Sequence, residues 1–257
     1  MHRRIIEKNE QSGIRQSSLF YCKKIIICNH NVRVISRFIS EKSEIEDVYQ
    51  RSTHMIVTLF DILEEKGIKC KTLNALEVFG RRGDWQTIDY ANKVKSLEVW
   101  EIDGRWENDL KKNLPMARIK ILDSVKTIIQ NENLEKFDLI VIDNPMNLFG
   151  STPEHTSSSY CEHFDIIKKI GELANDRVIL IFNVNKRPYD YSKFPAWKER
   201  RQEFYGAIDT ANMSVDFLAC FYDELFRTLG FKTLFHIIEP RNEFVDYFLY
   251  CLKKTPY

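Results

Sequence analysis

The apolar residues of this chain recur in two different patterns, and the change between them lies near Gly67. Between residues 44 and 67, apolar positions return every three or four residues, which is typical of an amphipathic helix that ends at Gly67. Beyond it, five short and nearly continuous apolar runs are separated by segments long enough for helices. The runs cover residues 72–79, 96–103, 117–123, 137–143 and 176–182. Runs of this kind predict parallel strands that are buried on both faces and connected by helices.

The pattern changes again near the C-terminus. A helical pattern over residues 215–229 stops at Gly230, and two apolar runs follow at 232–239 and 246–254, joined only by a short polar turn. Two strands with so short a connection predict an antiparallel hairpin. The predicted fold class is therefore α/β, with a doubly wound, mostly parallel seven-stranded sheet and a C-terminal antiparallel hairpin.

The same patterns suggest how the chain is organised. We expect one main domain over residues 44–257, preceded by an N-terminal extension, residues 1–43, with the pattern of a hairpin. The connection 184–213 is unusually long and mixes basic with aromatic residues. We interpret it as an insertion that covers a substrate. The same composition also suits nucleic-acid binding, or a helix whose aromatic residues pack on the body of the domain.

Composition narrows the classes of partner. The chain has 257 residues and a net charge of +1, so it lacks the overall basic field of a nucleic-acid coat protein. Its six cysteines include no C-x-x-C pair, and Cys161 with His163 is too sparse for a metal site. No apolar run approaches the ~20 residues of a membrane span. We therefore expect a cytoplasmic protein with reduced thiols, no bound metal and no membrane partner.

Residues suited to bind a cofactor follow four consecutive predicted strands. Ligands of a doubly wound sheet bind beyond the carboxyl ends of its strands. The first strand leads into two glycines, which permit close approach to the backbone and a positive φ. The second ends in acidic residues at a distance from these glycines that suits hydrogen bonds with ribose hydroxyls. In chain order, the candidates are Gly80, Gly83, Glu101, Asp103, Asp123 and Asp143.

This series resembles the class I S-adenosylmethionine-dependent methyltransferases, over about residues 72–255. "LEVFGRRG", "LEVWEIDGRWENDLKKNLP", "IKILDSVK" and "FDLIVIDNP" are similar to the first four motifs of that family. The resemblance implies a Rossmann-like methyltransferase fold and an enzyme that uses S-adenosylmethionine and releases S-adenosylhomocysteine. Its cofactor residues would be Glu77, Gly80 and Gly83 at the methionine end, Glu101 at the ribose, and Asp123 and Ser124 at the adenine, with Asp103 and Asp143 also in the cofactor site. Arg81 and Arg82 depart from the pattern, since the family usually has another glycine in this loop.

The acceptor is expected at the ends of the fourth and fifth strands. Asn144 and Pro145 match the first half of a motif by which related enzymes hold an amino group, but Met146 and Asn147 do not match its second half. Asp143, Glu162 and His163 are candidates for acid–base catalysis. The candidate substrate-binding residues are Asn144, Pro145, Arg81, Lys186, Arg187 and Tyr189.

The sequence is compatible with several functions. The leading hypothesis is methyl transfer to a small-molecule or carbohydrate-like acceptor, because the charge is near neutral and the chain forms one main domain. A nucleic-acid N-methyltransferase is the alternative enzyme, and aminopropyl transfer on a related fold ranks below it. A catalytically inactive binding module is the alternative outside enzymes, supported by Arg81 and by the incomplete fourth motif. The sequence leaves the oligomeric state undetermined.

Overall fold

A computed structural model describes residues 55–130, 134–143, 163–187, 191–192, 195–206 and 209–256. The predicted N-terminal extension, residues 1–43, lies outside the described residues, as does the start of the first predicted helix. Among the helices of the described ranges, none combines the length and the apolar character that crossing a bilayer requires.

Helices and strands alternate along the described chain. The strands are β1 (Asn74–Glu77), β2 (Ser96–Glu101), β3 (Arg118–Ile121), β4 (Phe137–Ile142), β5 (Ala174–Asn185), β6 (Phe231–Pro240) and β7 (Val245–Lys254). The α-helices are α1 (Met55–Glu65), α2 (Gln86–Ala91), α3 (Glu107–Asn113), α4 (Ser124–Gln130), α5 (Phe164–Lys168), α6 (Pro195–Tyr205) and α7 (Val215–Thr228). Short 3₁₀ turns cover Cys70–Thr72, Gly104–Trp106 and Ile170–Glu172.

The seven strands form one sheet in the order β3-β2-β1-β4-β5-β7-β6. The first five strands pair in parallel, and β7 pairs antiparallel with both β5 and β6. This arrangement confirms the predicted fold class, including the terminal hairpin. The chain order reverses direction between β1 and β4, where a doubly wound sheet opens a crevice beyond its strand ends.

Alternate residues of the central strands pack into two separate cores, one on each face of the sheet. On β4, Ile140 and Ile142 join one core while Leu139 and Val141 join the other. Neighbouring strands alternate in the same way because successive side chains of a strand point to opposite faces. Burial on both faces therefore explains the apolar runs of the central strands, whereas β3 lies at the edge of the sheet and is only partly buried, contrary to the expectation for residues 117–123.

The strand boundaries differ modestly from those expected. β1 ends at Glu77, two residues before the end of its apolar run, although the backbone N–H of Val78 still donates to the carbonyl of Val141. β5 is longer than its apolar run and extends to Asn185, because its last residues pair with the start of β7. The helix predicted over residues 215–229 is present as α7, which begins after its N-cap Ser214.

Candidate functional site

The loop after β1 folds tightly against β2 and α3. A methyl group built on Gly80 would lie 2.3 Å from Val99 Cγ1, and one on Gly83 would lie 2.6 Å from Leu114 Cδ1. Gly83 also has a φ of +68°, in the left-handed region that favours glycine. Both glycines are thus required by packing against the core. The position that a side chain would occupy at either glycine points into this core. The space left by the missing side chains is therefore filled by the core and is not open to a ligand.

Glu101 at the end of β2 ties this loop to the next one. Its Oε2 accepts a hydrogen bond from the backbone N–H of Arg81 at 2.6 Å, and its Oε1 accepts one from the backbone N–H of Asp103 at 2.7 Å. Burial raises the pKa of the Glu101 carboxyl, and these two backbone donors act in the opposite direction. Each carboxylate oxygen can accept a second hydrogen bond, so Glu101 can organise the loops and bind hydroxyl groups together.

Glu77 at the end of β1 lies deeper in the protein, with 1% of its surface exposed. Its Oε2 accepts a hydrogen bond from the Tyr90 hydroxyl at 2.7 Å, and the Thr87 hydroxyl lies 3.4 Å from the same oxygen. Burial raises the pKa of Glu77 to about 8; the Tyr90 hydrogen bond opposes this shift and the charge of Asp143 adds to it. Oε1 accepts no hydrogen bond of normal geometry from any described residue, although the Phe79 backbone N–H is near enough to lower the pKa.

Asp143 follows β4 directly and is held by two residues of the terminal hairpin. Tyr247 Oη donates to Asp143 Oδ2 at 2.9 Å, and Arg241 Nη1 lies 3.4 Å from Oδ1. Burial raises the pKa of Asp143, while Arg241, Tyr247 and Arg81 act to lower it. The Arg241 guanidinium also lies 5.8 Å from the ring centre of Trp85, whose side chain is 46% exposed.

Two other predicted cofactor residues have local structural partners. Asp103 accepts from the backbone and side chain of Arg105, which lowers the pKa of Asp103, and it caps the 3₁₀ turn that follows. Asp123 Oδ1 accepts from the backbone N–H of Lys126 at 3.0 Å, as a cap at the start of α4 does. Ser124 is buried as the first residue of that helix. Both carboxylates still lie at the carboxyl end of the sheet, beside Glu101.

His163 lies in the aromatic core of one face of the sheet. It is fully buried, its Nε2 forms a hydrogen bond with the Tyr222 hydroxyl, and the rings of Phe164, Phe182 and Phe204 lie within 6.0 Å of its own. Burial lowers the pKa of His163 to about 3. A histidine in this environment is neutral and shielded from solvent, which favours a structural role for His163 over the predicted acid–base role.

The predicted substrate residues after β5 have other contacts. Lys186 Nζ lies 2.7 Å from Oδ1 of the buried Asp246. Arg187 is exposed. Arg81 is exposed as well, with a φ of +46°, the left-handed conformation that glycine adopts more readily. Asn144, Pro145, Glu162 and Tyr189 lie outside the described residues.

Three residues of this region were missed from the sequence: Tyr90, Arg241 and Tyr247. The hairpin carried a signal for the last two. Since β7 runs antiparallel to β5, its first residues lie at the same edge as the carboxyl ends of the parallel strands, and Asn185 pairs with Val245. Nothing in the sequence around Tyr90 marks it as a partner of Glu77. Within the described ranges, no group of three or more His, Cys, Asp or Glu side chains could hold a metal ion.

Comparison with known proteins gives similarity in structure alone. No family model matches the chain, and no curated protein sequence matches it. Among solved structures, magnesium protoporphyrin IX methyltransferase (ChlM) from Synechocystis PCC 6803, with bound SAH, superposes with a TM-score of 0.48, 12% identity, and coverage of 83% of this chain and 90% of that chain. N-methyltransferase NodS from Bradyrhizobium japonicum WM9 superposes with a TM-score of 0.45 and 14% identity, and the match covers 81% of this chain and 98% of that chain. The yhhF protein of Escherichia coli superposes with a TM-score of 0.47 and 12% identity, and the match covers 79% of this chain and 86% of that chain.

Proposed function

We propose that this chain is an S-adenosylmethionine-dependent methyltransferase. The observation that carries the proposal is the position of Glu101, whose two carboxylate oxygens join the loop after β1 to the loop after β2 at the carboxyl end of the sheet. This is where the sequence resemblance expects a carboxylate for the ribose. Asp123 and Ser124 follow the neighbouring strand, on the side expected for the adenine.

The methionine end of the ligand would face Glu77. Its Oε1 is buried and lacks a hydrogen bond of normal geometry from the described residues, so it can accept one from an ammonium group. Arg81, which replaces a glycine of the family motif, is exposed. Its exposure is consistent with a site that the side chain leaves open. The residues present therefore fit the cofactor.

The bound cofactor would supply a methyl group on a sulfonium. The chain's part is to align the acceptor in line with that group and to receive its proton where the acceptor loses one. Asp143 is the proposed base, since it lies next to Glu77 along the strand ends and is oriented by Tyr247 and Arg241. The hydrogen bond from Tyr247 leaves lone pairs on both oxygens of Asp143 for the acceptor.

A small-molecule acceptor is favoured by the contacts of the 184–213 segment. Its aromatic residues Trp197, Phe204 and Tyr205 are buried, and Arg201 is fully buried with its Nη2 donating to the carbonyl of Asn185 at 2.6 Å. Arg200 pairs with Asp165 at 2.7 Å. Packing and ion pairing thus occupy much of the basic and aromatic pattern that nucleic-acid binding would need.

The first test is calorimetric titration with S-adenosylmethionine and S-adenosylhomocysteine. We expect micromolar binding by the wild type, which corresponds to about −8 kcal/mol. Glu101→Gln should weaken binding by about 1.5–3 kcal/mol, because a charged hydrogen-bond acceptor is lost. Glu98→Gln is the matched control, since Glu98 is buried on the same strand but pairs with Lys120 at 2.8 Å. Absence of binding by the wild type would favour the binding-module alternative.

The second test identifies the acceptor class. The protein is incubated with cofactor labelled in the methyl group, and with either a fraction of small metabolites or total RNA and DNA. Label transferred to the metabolite fraction supports the proposal. Label that enters polymer and is released by nuclease would replace it with the nucleic-acid alternative.

A further inference from the structure

The side chain of Glu77 meets only neutral groups among its hydrogen-bond partners. The hydroxyls of Tyr90 and Thr87, both on α2, approach Oε2. Oε1 is buried without a hydrogen bond of normal geometry from the described residues. A carboxylate this deeply buried is costly to ionise unless a cation lies beside it.

The titratable groups around Glu77 come from three elements. Tyr90 on α2 donates to it, Asp143 after β4 raises its pKa through a like charge, and Tyr247 on β7 is a neutral phenol. Arg241 and Arg81 act on Asp143 and lower its pKa. The cations of this region therefore compensate Asp143, and the strongest charge acting on Glu77 is negative.

We propose that Glu77 is a neutral carboxyl in the ligand-free protein, and that a cationic ligand bound beside Oε1 displaces its proton to solvent. The inference rests on the proposed function, since S-adenosylmethionine and S-adenosylhomocysteine both bring an ammonium group to this end of the site. The O–H bond of the carboxyl breaks, a buffer base takes the proton, and the carboxylate pairs with the ligand's ammonium. Glu77 thereby makes the site specific for a cationic head group and couples its binding to pH.

The pH dependence of binding follows from this exchange. With a pKa of about 8, the free carboxyl holds about 0.9 proton at pH 7, and binding releases nearly all of it. Affinity should therefore rise almost tenfold for each pH unit below about pH 7, and level off above about pH 8. A site with a carboxylate already ionised at pH 6 would show no such rise.

The experiment is calorimetric titration of the full chain with S-adenosylhomocysteine at pH 7, in two buffers of low and high ionisation enthalpy. The dependence of the observed enthalpy on the buffer gives the number of protons released. We expect about 0.9 for the wild type and for Glu98→Gln, and close to zero for Glu77→Gln. Titration of the ligand's own amine is common to all variants and is removed by comparison with Glu77→Gln.

A second variant keeps the test decisive if Glu77→Gln fails to fold. Tyr90→Phe removes a hydrogen bond that lowers the pKa of Glu77, so proton release should persist to higher pH than in the wild type. Binding by the wild type without proton release at pH 7 overturns this inference and leaves the proposed cofactor intact. Failure of the wild type to bind either ligand overturns the proposed function, and this inference with it.

Discussion

Tyr247 donates a hydrogen bond to Asp143 at 2.9 Å although their strands are not neighbours in the sheet. β5 lies between β4 and β7, and Tyr247 is paired there with Asn183. The phenol therefore reaches across the intervening strand at Asn183, two residues before that strand ends at Asn185. Through this contact the antiparallel hairpin contributes to the same edge of the sheet as the parallel strands, and it helps to shape the candidate acceptor side.

Replacement of Tyr247 by phenylalanine should destabilise the fold in a pH-dependent manner. Burial already raises the pKa of Asp143, and the Tyr247 hydrogen bond opposes that shift. Its loss leaves a buried carboxylate less satisfied, so we expect a free energy of unfolding lower by about 1–3 kcal/mol at pH 7.5. At pH 4 the Asp143 carboxyl, whose pKa is raised by burial, takes up protons in the folded state, and a neutral carboxyl depends less on this donor, so the loss should be smaller. Urea unfolding at both pH values measures the difference.

Tyr250→Phe is the control for this prediction. Tyr250 lies on the same strand and its hydroxyl donates to the carbonyl of Ala219 at 3.3 Å, with no carboxylate as acceptor. Its replacement should therefore cost a similar amount at both pH values. If the two variants show the same dependence on pH, the link between Tyr247 and Asp143 is not energetically significant.

Gly83 and Gly67 offer a comparison between packing and backbone strain. Both have a positive φ, +68° and +77°, but a methyl group on Gly67 would meet no atom within 4 Å whereas one on Gly83 would meet Leu114. Gly67→Ala should cost about 1 kcal/mol for the left-handed backbone. Gly83→Ala should cost about 1–3 kcal/mol more, because the core is overpacked. Chemical denaturation measures both, and equal losses would contradict the packing role assigned to Gly83.

The fold could be predicted from the sequence because burial on both faces of the sheet leaves a strong signal. Residues 139–142, for example, are apolar at every position, and the short turn after β6 favours a hairpin. The full strand order was not predicted, since an apolar run does not identify the strand beside it. The ends of strands were less predictable, because β5 is extended by pairing with a distant part of the chain.

The candidate site was only partly predictable. Glu77, Glu101 and Asp143 are adjacent to strand ends in the sequence, so their common edge follows from the parallel topology. Tyr247 and Arg241 join them through an antiparallel partner, which a local pattern does not reveal. His163 shows the opposite case, since a polar residue near a predicted site proved to be enclosed by aromatic rings. Burial of a single histidine cannot be read from its neighbours in sequence.

Charge reversal on the exposed surface separates the two acceptor classes. Arg187 and Lys198 are exposed and lie within the 184–213 segment. For a small acceptor, Lys198→Glu should change the rate of methyl transfer less than twofold. The double variant Arg187→Glu with Lys198→Glu should also change it less than twofold if Arg187 does not bind the acceptor. A larger loss in the double variant than in Lys198→Glu would show that Arg187 binds the acceptor. For a nucleic acid, both changes should weaken binding and reduce its dependence on salt. Rates measured between 50 and 300 mM salt, about the range over which phosphate contacts are screened, decide the question.

His163→Gln distinguishes a structural from a catalytic histidine. Burial lowers the pKa of His163 to about 3, below the value of about 6.5 expected in the unfolded chain. Between these values the unfolded state binds the proton and the folded state does not, so the stability contributed by the neutral ring is complete above about pH 6.5. This contribution to the free energy of unfolding decreases by about 1.4 kcal/mol per pH unit as the pH falls toward 3. Unfolding measured from pH 7.5 to 4.5 should show this slope in the wild type and a weaker slope in His163→Gln.

Methyl transfer by His163→Gln, measured at pH 7.5 and at a temperature where the variant stays folded, should be retained within a few-fold. Loss of turnover with intact fold and cofactor binding would return His163 to the catalytic group.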